Sequence, residues 1–366
     1  MTHFGIAMSA LRASSLAIDV TSNNIANANT EGYHRQDIRF RDRHPIHRNG
    51  TLIGTGVDVL EIRRLRNSFV EASITNNVSE HAAVEEQLVA LRRIEALLTP
   101  GSGSVHNRLN QLFDQMDRLA TSPADATQRS LVIQSADSLA TEIQRVSDEL
   151  IRIESRVQAD LASSVVAVNR LTNEMSKISK EITRAEASGS RANDLRDEYD
   201  RLANDLAQYA DIDIEEQNDG QLVLLLGDGS VLVGQKPIEL MVQVQEDGNY
   251  AVFRKGSDVP IQFGSGRLAS QLSTQNQILT GFAAQLDSLA VDLMSQFDAV
   301  HSTGIGTAGG FERVLGQRSV ADVTAPLATQ ESPFNITAGS LFITLTDPAG
   351  VRTLHEIAIA PSDPES

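Results

Sequence analysis

Residues 22–33, Ser22-Asn23-Asn24-Ile25-Ala26-Asn27-Ala28-Asn29-Thr30-Glu31-Gly32-Tyr33, close a stretch in which apolar residues recur at every seventh position. Phe4, Leu11, Ile18 and Ile25 carry the repeat, and the small residues Ala7, Ser14, Thr21 and Ala28 stand three positions after each. A narrow seam of period 3.5 marks a helix that pairs with another helix rather than one lying on a broad core. Burying four such side chains is worth roughly 6–12 kcal/mol. Ordering about 25 backbone units costs more, at about 1–2 kcal/mol each. The balance predicts a helix that forms poorly alone and sets when a partner packs on it. Asn27 and Asn29 tolerate left-handed backbone angles, Gly32 permits a turn and Tyr33 re-anchors the chain, so the helix is expected to stop here.

Composition narrows the class. The chain has 366 residues, no Cys, no Trp and 4% aromatic residues, too few bulky anchors for one large globular core. An elongated, mainly α molecule with β-rich parts is expected: a long coiled-coil helical bundle, an N-terminal assembly helix, a short β-ribbon and small antiparallel β domains. Absent cysteines exclude disulfides and thiolate chemistry. No apolar run reaches the length of a membrane span, and the spaced apolar residues of the N-terminus do not make a signal peptide. The net charge of −17 is uneven: residues 1–66 hold nine Arg and six Asp or Glu, and the remainder 22 basic and 42 acidic residues. An acidic body argues against nucleic acid and anionic lipid as partners. The basic cluster Arg35, Arg39, Arg41, Arg43 and Arg48 is interrupted by Asp37 and Asp42 and reads as the solvated or subunit-facing side of a β-ribbon.

Outward from the opening stretch, Ile38 and Phe40 alternate with Arg39 and Arg41 as a strand, and Val57–Ile62 forms a second one, entered through Gly54 and Gly56. From Asn67 the pattern turns helical. Ile74, Val78, Val84, Leu88, Leu91, Ile94 and Leu98 are expected on one face, up to the break Thr99-Pro100-Gly101-Ser102-Gly103. A shorter helix uses Val105, Leu109, Leu112, Met116 and Leu119. Ser122-Pro123-Ala124-Asp125 then opens the longest helix, with Ser122 as cap, whose 3/4 rhythm runs from Leu139 to Ala185. A helix over 191–209 follows. Residues 211–263 change to period 2, with turns at Asn218-Asp219-Gly220, Gly227-Asp228-Gly229 and Asp247-Gly248-Asn249. Leu268 to Val300 reads as a returning helix, and Leu341–Thr346 with Val351–Ile359 as a hairpin. The expected domains are 1–66 (assembly and export region), 67–210 (coiled-coil helical domain), 211–266 (small antiparallel β unit), 267–303 (returning helix) and 304–366 (start of a β-rich outer domain).

Residues Asn23, Asn24, Ile25, Ala26, Asn27, Asn29, Thr30, Gly32 and Tyr33 together resemble the N-terminal signature shared by flagellar axial proteins, the rod, hook and hook-associated proteins. Gly54, Gly56, Val57, Val59, Ile62, Arg64 and Phe69 are similar to the next block of the hook-associated proteins, with Asn67 where that family usually carries an acid. Asn193, Leu195, Asp197, Asp200 and Leu202, and the block from Leu286 to Gly304, resemble the FlgK-type hook-associated family. There Tyr199 stands in place of the usual arginine. The resemblance covers roughly residues 1–310 and implies a structural subunit that joins hook to filament by self-assembly through terminal helices. It implies an extracellular place in the bacterial flagellum, reached by type III export without a cleaved signal peptide. The partners it implies are further copies of the chain in the flagellar axis, the hook protein, the next hook-associated protein and an export chaperone. Such families end in a C-terminal heptad helix; none is visible before Ser366, so a truncated chain is expected. Another axial protein (rod or hook), or a non-flagellar coiled-coil adaptor, is the alternative.

Catalytic and cofactor patterns are weak. Gly304-Ile305-Gly306-Thr307-Ala308-Gly309 fits a dinucleotide pattern by letters but follows a helix. His44 and His47, with His34 nearby, lack a third metal ligand at sensible spacing and read as an exposed pair. Asp211-Ile212-Asp213 lacks the rest of a calcium loop. No nucleophile elbow is present. No enzyme activity, cofactor or metal is expected.

Overall fold

The structure, a computed structural model, describes residues 2–48, 50–98, 101, 103–187, 189, 191–217, 220–303, 325–326 and 338–360. The expected breaks at 99–102 and 218–219, the glycine run 304–309 and most of 304–366 lie wholly or partly outside the described residues.

In chain order, helix α1 (Thr2–Ala26) leads into strands β1 (Gln36–Asp42), β2 (Ile46–Arg48), β3 (Thr51–Ile53) and β4 (Val57–Arg64). Helices α2 (Ser68–Leu98), α3 (Val105–Thr121), α4 (Ala126–Glu186) and α5 (Asn193–Ala207) follow. Strands β5 (Ile212–Glu216), β6 (Leu222–Leu226), β7 (Val231–Val233), β8 (Leu240–Val244) and β9 (Tyr250–Arg254) come next, then α6 (Gly266–Ser273), a π turn over Thr274–Leu279, α7 (Thr280–Thr303), β10 (Gly339–Thr346) and β11 (Arg352–Ile359). This is a mainly α chain with small antiparallel sheets. Two compact units share it: Met1–Pro100 with Arg145–Gly281, and Gly101–Gln144 with Phe282–Ser366.

The first unit has the larger core. The α4 stripe Leu161, Val165, Val168, Leu171, Met175, Ile178 and Ile182 is buried, as its 3/4 spacing requires, against Tyr199 and Leu206 of α5, Leu224, Leu226 and Leu232 of the sheet β5-β6-β7, and Leu268 of α6. Asn169 reaches from α4 to both the N–H and the C=O of Leu240. The end of α6 and the π turn carry a polar layer. Gln271 donates to Glu86 of α2 and Gln275 to Glu154 of α4, so both amides are oriented by carboxylates.

Two sequence expectations change here. The α2 stripe does not face the core as one set. Val84, Leu88, Leu91 and Leu98 are exposed, and the buried residues are Ser79, Ala82, Ala90 and Ile94. Small side chains let two backbones approach closely, and Ser79 Oγ meets Ser265 Oγ at 2.6 Å just before α6. The cap of α4 is Asp125, whose Oδ1 accepts from the N–H of Thr127 and of Gln128, and the N–H of Ser122 closes α3 instead by donating to Leu119 O.

In the second unit, Leu112 of α3, Ala136, Leu139 and Ile143 of α4, and Leu293 and Phe297 of α7 line one apolar groove. β10 and β11 form an antiparallel hairpin paired from Gly339↔Ile359 to Thr346↔Arg352.

Candidate functional site

The opening stretch forms the site. Helix α1 presents two faces. The seam residues Phe4, Leu11, Ile18 and Ile25 are 66–74% exposed. Ile6, Ser9, Ala13, Leu16, Ala17 and Val20, spaced by three and four on the other side, are buried or half-buried. The ribbon β1–β4 covers this second face, so the partner that α1 needs to form is supplied within the chain. Ile38 and Ile62 pair directly, Phe40 faces Val59, and a bulge between Arg39 and Phe40 sets the register. On the ribbon's other face Asp37–Arg63, Arg39–Glu61 and Arg43–Asp58 form a ladder of charges.

Close contact between helix and ribbon depends on Gly56. Its φ is +112°, and a Cβ there would lie 2.2 Å from Ser9 Oγ. Ser9 Oγ in turn accepts from the Val57 N–H at 3.2 Å and donates to Ile6 O at 2.8 Å. Gly54 has open space around it.

The signature residues build the corner after α1. Asn27 Nδ2 donates to Asn23 O and Oδ1, and Thr30 Oγ1 donates to Asn27 Oδ1. Asn23 O also accepts from the Asn27 N–H, so side chains and backbone together tie off the last turn of the helix. Gly32 takes φ +76°, turning the chain back. Asn24 pairs with the backbone of Gln36, its Nδ2 donating to Gln36 O and its Oδ1 accepting from Gln36 N–H. Tyr33 completes the corner, its hydroxyl donating to Asn24 Oδ1 at 2.9 Å. Burial, then the carboxylates of Asp194 and Asp197, hold the Tyr33 hydroxyl above its usual pKa. Ala26 and Asn29 are exposed.

The base of the arm is locked by charge. Arg64, at the end of β4, places Nη1 2.7 Å from both Asp197 Oδ1 and Asp200 Oδ2 of α5. His34 joins the same cluster, with Nδ1 2.8 Å from Asp197 Oδ1 and Nε2 3.1 Å from Glu71 Oε1 of α2, and its backbone N–H donates to Asp197 Oδ2. Burial opposes protonation of His34, but the hydrogen bonds to Glu71 and Asp197 outweigh it and hold the pKa above its usual value. Asn193 donates to Ile62 O, and Gln36 to Asp194 Oδ1. Arg66 approaches Asp200 at 3.5 Å. Below this, buried Arg196 binds Glu186 with two nitrogens and reaches Glu216, lowering the pKa of both carboxyls.

An imidazole and two carboxylates within reach of one another, His34, Asp197 and Asp200, are a donor set that could hold a cation. Here the guanidinium of Arg64 fills that role. His44 and His47 lie apart, exposed near the ribbon tip. Phe69 is largely exposed at the start of α2, where Asn67 caps the helix by accepting from the Phe69 N–H. Tyr199, in place of the usual arginine, is fully buried.

Sequence reading grouped His34 with the wrong histidines and gave no role to Ser9, Glu71 or Arg196. His34 and Gln36 flanking the corner were the available signal, but their partners lie some 160 residues away. The hairpin β2–β3 at the ribbon tip was also missed. Its three-residue strands are too short to show a period.

The described chain has no helix long and apolar enough to cross a membrane. A model of the flagellar hook-associated protein FlgK helical domain matches residues 91–315, and one of the flagella basal body rod protein matches residues 4–34. Flagellar hook-associated protein 1 of Bacillus subtilis is 24% identical over 339 residues, covering 82% of this chain and 67% of that protein. The Salmonella typhimurium protein of the same name is 24% identical over 314 residues, covering 83% and 57%. The Escherichia coli one is 22% identical over 332 residues, covering 87% and 61%. The chain thus spans 57–67% of the length of these relatives. The solved flagellar hook junction protein FlgK from Burkholderia pseudomallei shares the fold at a TM-score of 0.58, with 20% identity over 65% of this chain and 45% of that one.

Proposed function

Since the chain belongs to the family of FlgK-type flagellar hook-associated proteins, a family of structural flagellar proteins, we propose that it serves at the junction between hook and filament. Its role is assembly. α1 is held to the body by the corner Asn24–Tyr33, the ribbon and the Arg64–Asp197–Asp200 lock, and it offers the seam Phe4, Leu11, Ile18 and Ile25 to a helix of another chain. The observation that carries this reading is the exposure of that seam on a helix whose opposite face is already occupied. Burial of a seam by a neighbour supplies binding free energy only on assembly, which favours the polymer over the isolated chain. The partners in this reading are further copies, the hook protein and the next hook-associated protein, with a chaperone during export. The location in this reading is the extracellular flagellum.

The test is a strain lacking the gene, complemented with the full chain or with a version lacking residues 1–33. Hooks without filaments, with flagellin released into the medium, are expected in the deletion strain; the full chain restores filaments and the shortened one does not. Normal filaments in the deletion strain, with no second copy of the gene present, overturn the reading.

A further inference from the structure

The ribbon carries charge and apolar surface that nothing else in the described chain covers, and the small β unit carries the opposite charge. Between residues 34 and 66, eight arginines stand against four carboxylates. Arg64 and Arg66 are engaged by α5, and Arg39, Arg43 and Arg63 pair within the ribbon. Arg35 and Arg41 have no carboxylate partner among the described residues. Beside them Phe40, Ile46, Leu52 and Ile53 are exposed. Residues 211–263, by contrast, hold ten carboxylates and three cations. Arg196 takes Glu216 and Lys255 takes Glu239. Asp213, Glu215, Glu246 and Asp258 remain exposed without a basic partner among the described residues.

We propose that the basic ribbon, around Arg35, Arg41 and the apolar tip residues Ile46, Leu52 and Ile53, docks on the acidic β5–β9 unit of a second copy of this chain. This rests on the assembly reading and names a second contact, separate from the α1 seam. No ion pair joins these two surfaces within one chain among the described residues, so their charges are available to a neighbour. Opposite potentials steer the encounter and fix its register, while the tip supplies the apolar area that such a contact buries. Two different surfaces meet, so the contact is heterologous. It repeats from copy to copy into a ring or an open helix instead of closing as a pair.

The test uses charge reversal in the complemented deletion strain, counting filament-bearing hooks. Arg35→Glu with Arg41→Glu, and separately Glu215→Arg with Glu246→Arg, are each expected to reduce the count at least tenfold. The four changes together are expected to restore it. Reversals that assemble like the unaltered chain, or a quadruple variant that restores nothing, overturn the inference. A fold-independent second measurement uses the absence of native cysteine. Copies with Leu52→Cys mixed with copies carrying Glu246→Cys are expected to form disulfide-linked heterodimers under oxidation, and less so in high salt. Absence of that product overturns the contact. If the unaltered chain itself fails to restore filaments, the assembly reading falls, and the cysteine pair still decides this contact by itself.

Discussion

Helices α1 and α4 carry the same kind of pattern and resolve it in opposite ways. The stripe of α4 is buried from Leu139 to Ile182 by elements of its own chain. The stripe of α1 faces outward, and a second, smaller-featured face of Ile6, Ser9 and Ala13 takes the intrachain contact. Periodicity therefore reports that a helix face wants cover. It does not report whether the cover comes from the same chain. The distinction lies in what sits on the other side of the helix, and for α1 that was written in a serine, an alanine and a glycine 47 residues away.

The sharpest way to break the comparison is at the lock. Replacing Arg64→Met removes the cation that bridges buried Asp197 and Asp200, leaving them only His34 and the more distant Arg66, and should destabilise the first unit by about 3–5 kcal/mol in urea unfolding. A loss under about 1 kcal/mol would mean that the arm is not held by charge. Next comes Met175→Ala in the covered stripe, where a fully buried side chain is removed. It should cost about 2–5 kcal/mol in the same assay.

A smaller effect is expected from pH. The His34 pKa is raised above its usual 6.5 in the folded chain, so its stabilising contribution is fully present below that value and is lost as pH rises through the folded value. Protease resistance of the arm in the native chain should exceed that of His34→Gln at pH 6, and the difference should shrink by pH 8. A difference that grows with pH would reverse the sign and remove His34 from the lock. The smallest effect on stability belongs to the seam: Ile18→Ala should change unfolding by no more than about 0.5 kcal/mol. It should nevertheless reduce filament-bearing hooks in the complemented strain. Were it to cost as much as Met175→Ala, the two helices would not differ as described.

Much of the fold was legible. The long α4 stripe, the ribbon strands, the turns at 227–229 and 247–249 and the hairpin near the end follow from period and turn chemistry. The α2 stripe misled, because its leucines advertise a core face that Ser79, Ala82 and Ala90 occupy. Small residues give little hydropathy signal although they allow the closest helix approach. The π turn was also invisible, since one extra residue per turn leaves Leu268 and Leu279 looking like ordinary helical positions. At the site, the asparagine string announced a special corner, and its hydrogen bonds are local. The lock was not readable as a set, because His34, Arg64, Glu71, Asp197 and Asp200 come from four separate stretches.

That separation has a consequence in time. The bonds from His34 and Arg64 to α5 span 163, 133 and 136 residues of chain. At a synthesis rate of about 5–20 residues per second, the arm waits roughly 8–30 s before the carboxylates that fasten it exist. The arm is thus made well before α5, the element that fastens it to the body. For that interval the asparagine corner and the ribbon have only one another, and the apolar seam of Phe4, Leu11, Ile18 and Ile25 rides on an arm not yet fastened to the body.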